Sequence, residues 1–216
     1  MFDFTPRFLP LLVLVALGGL AACDSVATDQ TDTELRNELA VEYNRQRALF
    51  GSLPAVPDPS LIRTGTATYD GVTRIVVDTP QTTEVLGEAR IAVNFGTDRV
   101  AAQFGNFYGR ANGGAVVGWT ETTQVSATGD IDVTQPGGQF IQTLMSGALR
   151  SDTGNVMVLG PMPLNGTFRD TSPSEFSAPD AMVLQSGPGS IRLDGLNYGN
   201  GTGTNCETCV WVIAED

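Results

Sequence analysis

Glu88-Ala89-Arg90-Ile91-Ala92-Val93-Asn94-Phe95 alternates without a break. Ala89, Ile91, Val93 and Phe95 share one face; Glu88, Arg90 and Asn94 share the other. That is the period of a strand with one side in a core and the other in water. Gly96-Thr97-Asp98 supplies a turn, and Arg99 to Phe104 returns with Val100, Ala102 and Phe104 on one face. The two runs predict a β-hairpin.

Working outward, the same period recurs. Further strands are expected at Arg63–Tyr69, Thr73–Asp78, Ala115–Thr122, Gln139–Leu149, Asn155–Leu159, Leu164–Phe168, Ala181–Gln185, Ser190–Leu193 and Cys209–Ala214. Turn residues separate them: Asp70-Gly71, Asn112-Gly113-Gly114, Pro136-Gly137-Gly138, Asp152-Thr153-Gly154, Pro188-Gly189 and Asp194-Gly195. Evenly spaced strands with no helices between them predict an all-β fold, an antiparallel sandwich or closed barrel; a barrel of about eight strands, which leaves no free edges, is the expected architecture. This barrel domain is expected over residues 61–216.

The segment before it, residues 23–60, reads differently. Residues 24–33 are polar and aperiodic, a tether. A helix is expected from Glu34 to Phe50, with Thr31 and Glu34 at capping-box spacing and Gly51 as its C-terminal cap. Leu35, Leu39, Glu42/Tyr43, Gln46 and Leu49/Phe50 mark an i, i+4 stripe, which suits a plug or lid packed on the barrel, the alternative being a partner-binding helix. Pro54, Pro57 and Pro59 make a stiff connector.

Residues 1–22 carry Arg7 and then an apolar run from Phe8 to Ala22. The run is shorter than the roughly 20 residues that a helix needs to cross a bilayer, and it fits a signal peptide. It ends Leu20-Ala21-Ala22-Cys23, which resembles the lipobox of bacterial lipoproteins. The expected mature protein begins at Cys23 and holds the membrane through acyl chains on that cysteine. Asp24 resembles the inner-membrane retention signal of enteric bacteria, a rule that is not general. An outer-membrane location, periplasmic or surface-exposed, is favoured.

Composition narrows the function. The 216 residues hold 12 basic and 24 acidic side chains, a net charge of −12, and every basic residue is arginine. Such a surface repels nucleic acid, so none is expected as a partner. The absence of histidine removes the commonest general base and metal ligand, and with it any Ser-His-Asp triad. No catalytic residue, metal or cofactor is expected. Asp130 and Asp132 share a strand face but read as solvated. Asn165-Gly-Thr and Asn200-Gly-Thr read as turns rather than glycosylation sites. Cys206-Glu-Thr-Cys209 lies between a loop and a strand in an exported chain, which predicts a local disulfide rather than a redox pair. Trp119, Trp211, Phe104, Phe107 and Tyr108 are expected in the core. Phe107, Tyr108 and Trp119 become candidate binding anchors if they lie at a loop tip instead.

Thr68-Tyr69-Asp70-Gly71, Gly87–Gly96, Phe104-Gly105-Asn106-Phe107-Tyr108-Gly109 and Leu164-Asn165-Gly166-Thr167-Phe168 together resemble the barrel lobe of transferrin-binding protein B and the related factor H-binding lipoproteins. The Phe-Tyr-Gly element falls earlier here than in that family, and the last stretch of the chain departs from it. The resemblance implies an eight-stranded barrel on an acyl anchor that binds a protein or peptide at its loops without catalysis. It carries over no particular partner. The alternatives are a lipocalin-like carrier of a small apolar ligand and a structural or assembly lipoprotein of the envelope.

Overall fold

A computed structural model describes residues 30–54, 65–132, 140–171, 178–187, 190–199 and 208–216. The signal peptide, Cys23, most of the tether, Pro57 and Pro59, the 136–138 and 188–189 turns, the Asn200 sequon and Cys206 lie outside these residues.

One helix precedes the sheet: α1, Asp32–Ser52. The strands are β1 Thr66–Val77, β2 Thr83–Asn94, β3 Arg99–Arg110, β4 Val116–Asp132, β5 Phe140–Ser151, β6 Val156–Arg169, β7 Ala181–Ser186, β8 Ser190–Leu193, β9 Leu196–Gly199 and β10 Cys209–Glu215. Neighbours run β5-β4-β3-β2-β1-β10-β7-β6, and β5 also pairs with β6. The cycle therefore closes into an antiparallel barrel of eight strands, which removes free edges from its wall. β8 and β9 form a hairpin on the first part of β6.

The β2–β3 hairpin forms where the alternation places it, with Asn94 pairing Arg99. Asn94 Oδ1 accepts from the N–H groups of Gly96 and Thr97 at 3.0 Å each, which holds the turn. The expected break at Asp70-Gly71 does not occur. β1 runs through it because Gly71 lets β1 approach β10: a Cβ there would lie 2.1 Å from the Ile213 carbonyl oxygen. The two strands expected at 155–159 and 164–168 are likewise one, β6. The register shifts near Gly160 (φ +68°), so Met157 and Leu159 point inward before it and Met162 and Leu164 after it. β4 continues well past Thr122, to Asp132. β9 was not expected; Asp194 (φ 50°) and Gly195 (φ 84°) turn β8 back onto it in the conformation of a two-residue hairpin.

Inward residues fill the barrel. Tyr69, Phe95 and Phe168 stack at one end, with ring centroids 6.0 and 5.6 Å from Phe168. Met145, Met157, Met162 and Met182 are all fully buried in the interior, suiting unbranched side chains that fit irregular gaps.

α1 begins at the expected capping box. The Thr31 hydroxyl accepts from the Glu34 N–H at 3.3 Å, and the Glu34 carboxylate accepts from the Thr31 N–H at 2.8 Å. The helix passes Gly51 and stops at Leu53, whose N–H still reaches the Leu49 carbonyl. It does not plug the barrel. It lies on the outer wall, where Tyr43 packs with Val72, Leu86 and Ile213. These three are strand residues facing away from the interior, and α1 is what buries them.

Candidate functional site

The site emerges where α1 crosses the wall. Arg36, Ala40, Tyr43 and Arg47 follow at i, i+4, i+7 and i+11, one face of a helix. That face meets Arg74 of β1 and Glu84 and Leu86 of β2 around a groove of about 290 Å³. Arg74 pairs in register with Leu86, and Glu84 with Val76, so Arg74 and Glu84 are outward neighbours on adjacent strands.

Glu84 is the pivot. Its carboxylate accepts from Arg74 Nε at 2.8 Å and forms an ion pair with Arg36 of the helix. Burial alone would push the Glu84 carboxyl up. The hydrogen bond and charge of Arg74, with those of Arg36, outweigh it and hold the group below the usual carboxylate range. The Arg74 guanidinium lies 5.8 Å from the centre of the Tyr43 ring, a cation–π distance. Tyr43 is 5% exposed, and burial raises its ionisation above the ordinary tyrosine value. Arg47 is exposed and forms no ion pair among the described residues, yet its charge is felt at Tyr43. Arg36 Nε is shut off from solvent with no hydrogen-bond partner. Two guanidiniums, of Arg36 and Arg74, thus share one carboxylate, and a third, of Arg47, lines the same groove. Guanidiniums only donate, and in a fork that matches carboxylate and phosphate oxygens.

The helix is strapped down at both ends of the groove. Asp32 accepts from the Gly118 N–H of β4 at 3.0 Å, Arg45 pairs with Glu215 of β10, and Arg169 of β6 lies 5.0 Å over the Phe50 ring. Gln46, 3% exposed, donates to the Asp70 carbonyl at 3.2 Å. A second, open recess of about 810 Å³ lies on the outer wall across β2–β6, where Leu144 is 59% exposed.

The candidate anchors fall elsewhere. Phe107 and Trp119 are a cross-strand pair pointing into the barrel, 2% and 3% exposed. They are core, beyond any partner's reach. Phe104 is core as well. Tyr108 faces outward from mid-strand β3, half-buried, with its ionisation raised by burial and by the nearby charges of Asp32 and Glu88. Of the three, it alone touches the surface, and not at a loop tip. Trp211 packs beneath α1 on the wall, in register with Arg74. Asp130 is an exposed partner of Arg99 at 2.7 Å. Cys209 is disulfide-bonded. Among the described residues, no group of three or more Cys, Asp or Glu side chains is arranged to hold a metal ion.

Of the groove residues, the sequence singles out only Tyr43, as part of the buried stripe of the helix. The i, i+4, i+7, i+11 signal of Arg36, Ala40, Tyr43 and Arg47 was available, but the apolar stripe one position away masked it. Arg74 and Glu84 needed the β1–β2 register. No protein-family model, curated protein or solved structure matches this chain.

Proposed function

We propose that the chain is a lipid-anchored binding lipoprotein of the cell envelope, non-catalytic, held by acyl groups on Cys23, with its barrel as a rigid scaffold for a protein or peptide partner. The observation that carries this reading is the filled interior. Tyr69, Ile91, Met145, Leu149, Met162 and Leu164 are each fully buried there, so the surface left for recognition is the outer wall and the loops. A lipocalin-like carrier would need an apolar cavity where these side chains sit.

Two further features support it. The wall carries the groove under α1 and the open recess around Leu144, both reachable from outside. The helix α1 is bonded to the wall, so it is part of the same scaffold as the barrel. The resemblance of its short sequence motifs to those of transferrin-binding-protein barrel lobes is in keeping with this reading.

The test is protease shaving of intact cells beside a periplasmic control, with metabolic palmitate labelling of the wild type and Cys23→Ser. Label lost in Cys23→Ser and barrel removed by shaving support a surface binding module. Label retained by Cys23→Ser removes the anchor from the proposal. Protection from shaving until the outer membrane is opened would move the partner search to the periplasm and favour the envelope-assembly reading.

A further inference from the structure

We infer that the groove between α1 and the barrel wall is a binding site for a small phosphate-bearing dianion, gripped by Arg36, Arg47 and Arg74 over the Tyr43 ring. Charge is the first ground. Three guanidiniums face a groove that holds one carboxylate, a local excess of two positive charges on a chain of net charge −12. A phosphate monoester carries about −1.5 to −2 at neutral pH, which matches that excess.

The second ground is unspent bonding capacity. Docking the helix uses Arg36 and Arg74 on Glu84, yet it leaves Arg36 Nε buried without an acceptor. Arg47 is exposed, lines the groove and forms no ion pair among the described residues, so its guanidinium is open to a ligand. An oxyanion supplies the acceptors that Glu84 alone cannot. The third ground is size. About 290 Å³ suits a compact ligand, at the small end of the range for small-molecule pockets, and the open side of the groove leaves room for an ester substituent. The same phosphate chemistry could be offered free in solution or on a lipid headgroup.

Glu84 then has two roles that oppose each other. It anchors the helix, and it competes with the ligand for two arginines. The site needs neither the lipid anchor nor a protein partner, so its failure and the failure of that wider reading are separable.

The experiment is calorimetric titration of the full chain with inorganic phosphate and with pyrophosphate at low ionic strength, and a flotation assay with vesicles containing phosphatidic acid, whose headgroup is a phosphate monoester. The wild type should saturate at one site. Arg47→Gln should weaken binding at least tenfold at an unchanged melting temperature, since Arg47 is exposed and forms no ion pair among the described residues. Glu84→Gln should bind several-fold more tightly than the wild type while being less stable. Vesicle binding that depends on Arg47, without binding of the soluble anions, would assign the phosphate to a headgroup. Absence of saturation with every probe, equal affinity in wild type and Arg47→Gln, or no gain in Glu84→Gln would overturn the site.

Discussion

Replacing Glu84 by glutamine tests how the helix is held. In the wild type the carboxylate receives Arg74 Nε at 2.8 Å and the Arg36 guanidinium, and its side chain is 24% exposed. Glutamine keeps the shape and one acceptor oxygen but loses the charge. Each hydrogen bond to a charged group contributes about 1.5–3 kcal/mol. Part of that is recovered, because the buried carboxylate no longer has to be desolvated. The net cost should be about 2 kcal/mol, made larger by leaving Arg36, Arg47 and Arg74 facing one another without a counter-ion. At roughly 2–4 °C per kcal/mol for a domain of this size, the melting temperature should fall by about 4–8 °C at pH 7. The loss should concentrate in α1, so hydrogen exchange should quicken at Arg36–Arg47 before it does in β2. The pH dependence is the sharper part. The Glu84 carboxyl is held below the usual range in the folded state. Its contribution is therefore fully present above the unfolded carboxylate pKa, about 4.3, and is lost as pH falls through the folded value. Wild type and variant should differ most at neutral pH and converge in acid. A melting difference that stays constant from pH 7 into the acid range, or no difference at pH 7, would refute the account of Glu84 as the ionic pivot.

Other perturbations probe the remaining claims. Gly160→Ala should cost about 3 kcal/mol or more in denaturant titration, because φ there is +68° and the added Cβ would meet the Met145 carbonyl oxygen at 2.2 Å. Thr31→Ala should cost about 1 kcal/mol through the lost cap, seen as faster amide exchange confined to the first turn of α1. Trp119→Ala should cost about 3–5 kcal/mol while leaving anion binding in the folded fraction intact, since the indole is buried inside the barrel and away from the groove. The unreduced chain, with Cys23 acylated, should take up no thiol label; uptake at Cys209 before reduction would contradict its disulfide.

How much of this was legible follows from how local each signal is. The 88–104 hairpin was readable because its alternation and its Asx turn are contained in consecutive residues. The capping box was readable for the same reason. Asp70-Gly71 misled because a glycine after an aspartate looks alike in a turn and in a close strand crossing. What makes it a crossing is Ala214, far away in the chain and paired with Gly71 across β1 and β10. The strands expected at 155–159 and 164–168 are likewise one. In β6 the bulge at Gly160 absorbs the offset, and the same strand continues. The barrel class survived these errors, because merging neighbouring strands does not change the period of either. The groove is not legible in this way, since three of its eight lining residues, Arg74, Glu84 and Leu86, come from β1 and β2 and are placed only by their register.

The aromatic element at 104–109 shows why short motifs carry more about packing than about binding. Phe104 and Phe107 are three residues apart, an odd spacing that would put them on opposite faces of a regular strand. Both point inward, because the β3 register shifts between Gln103 and Phe107, with Asn106 at φ 50°. The Phe107 ring occupies the space that a side chain at Gly87 would need: a Cβ there would lie 2.4 Å from the ring. The glycine that opens the Gly87–Gly96 stretch and the phenylalanine of the Phe-Tyr-Gly element are therefore two halves of one packing contact between β2 and β3. A motif explained by its own interior contact places no demand on a partner. The recognition proposed here draws instead on residues whose bonding the fold leaves incomplete: under α1, Arg47, which forms no ion pair among the described residues, and the buried, acceptor-less Nε of Arg36.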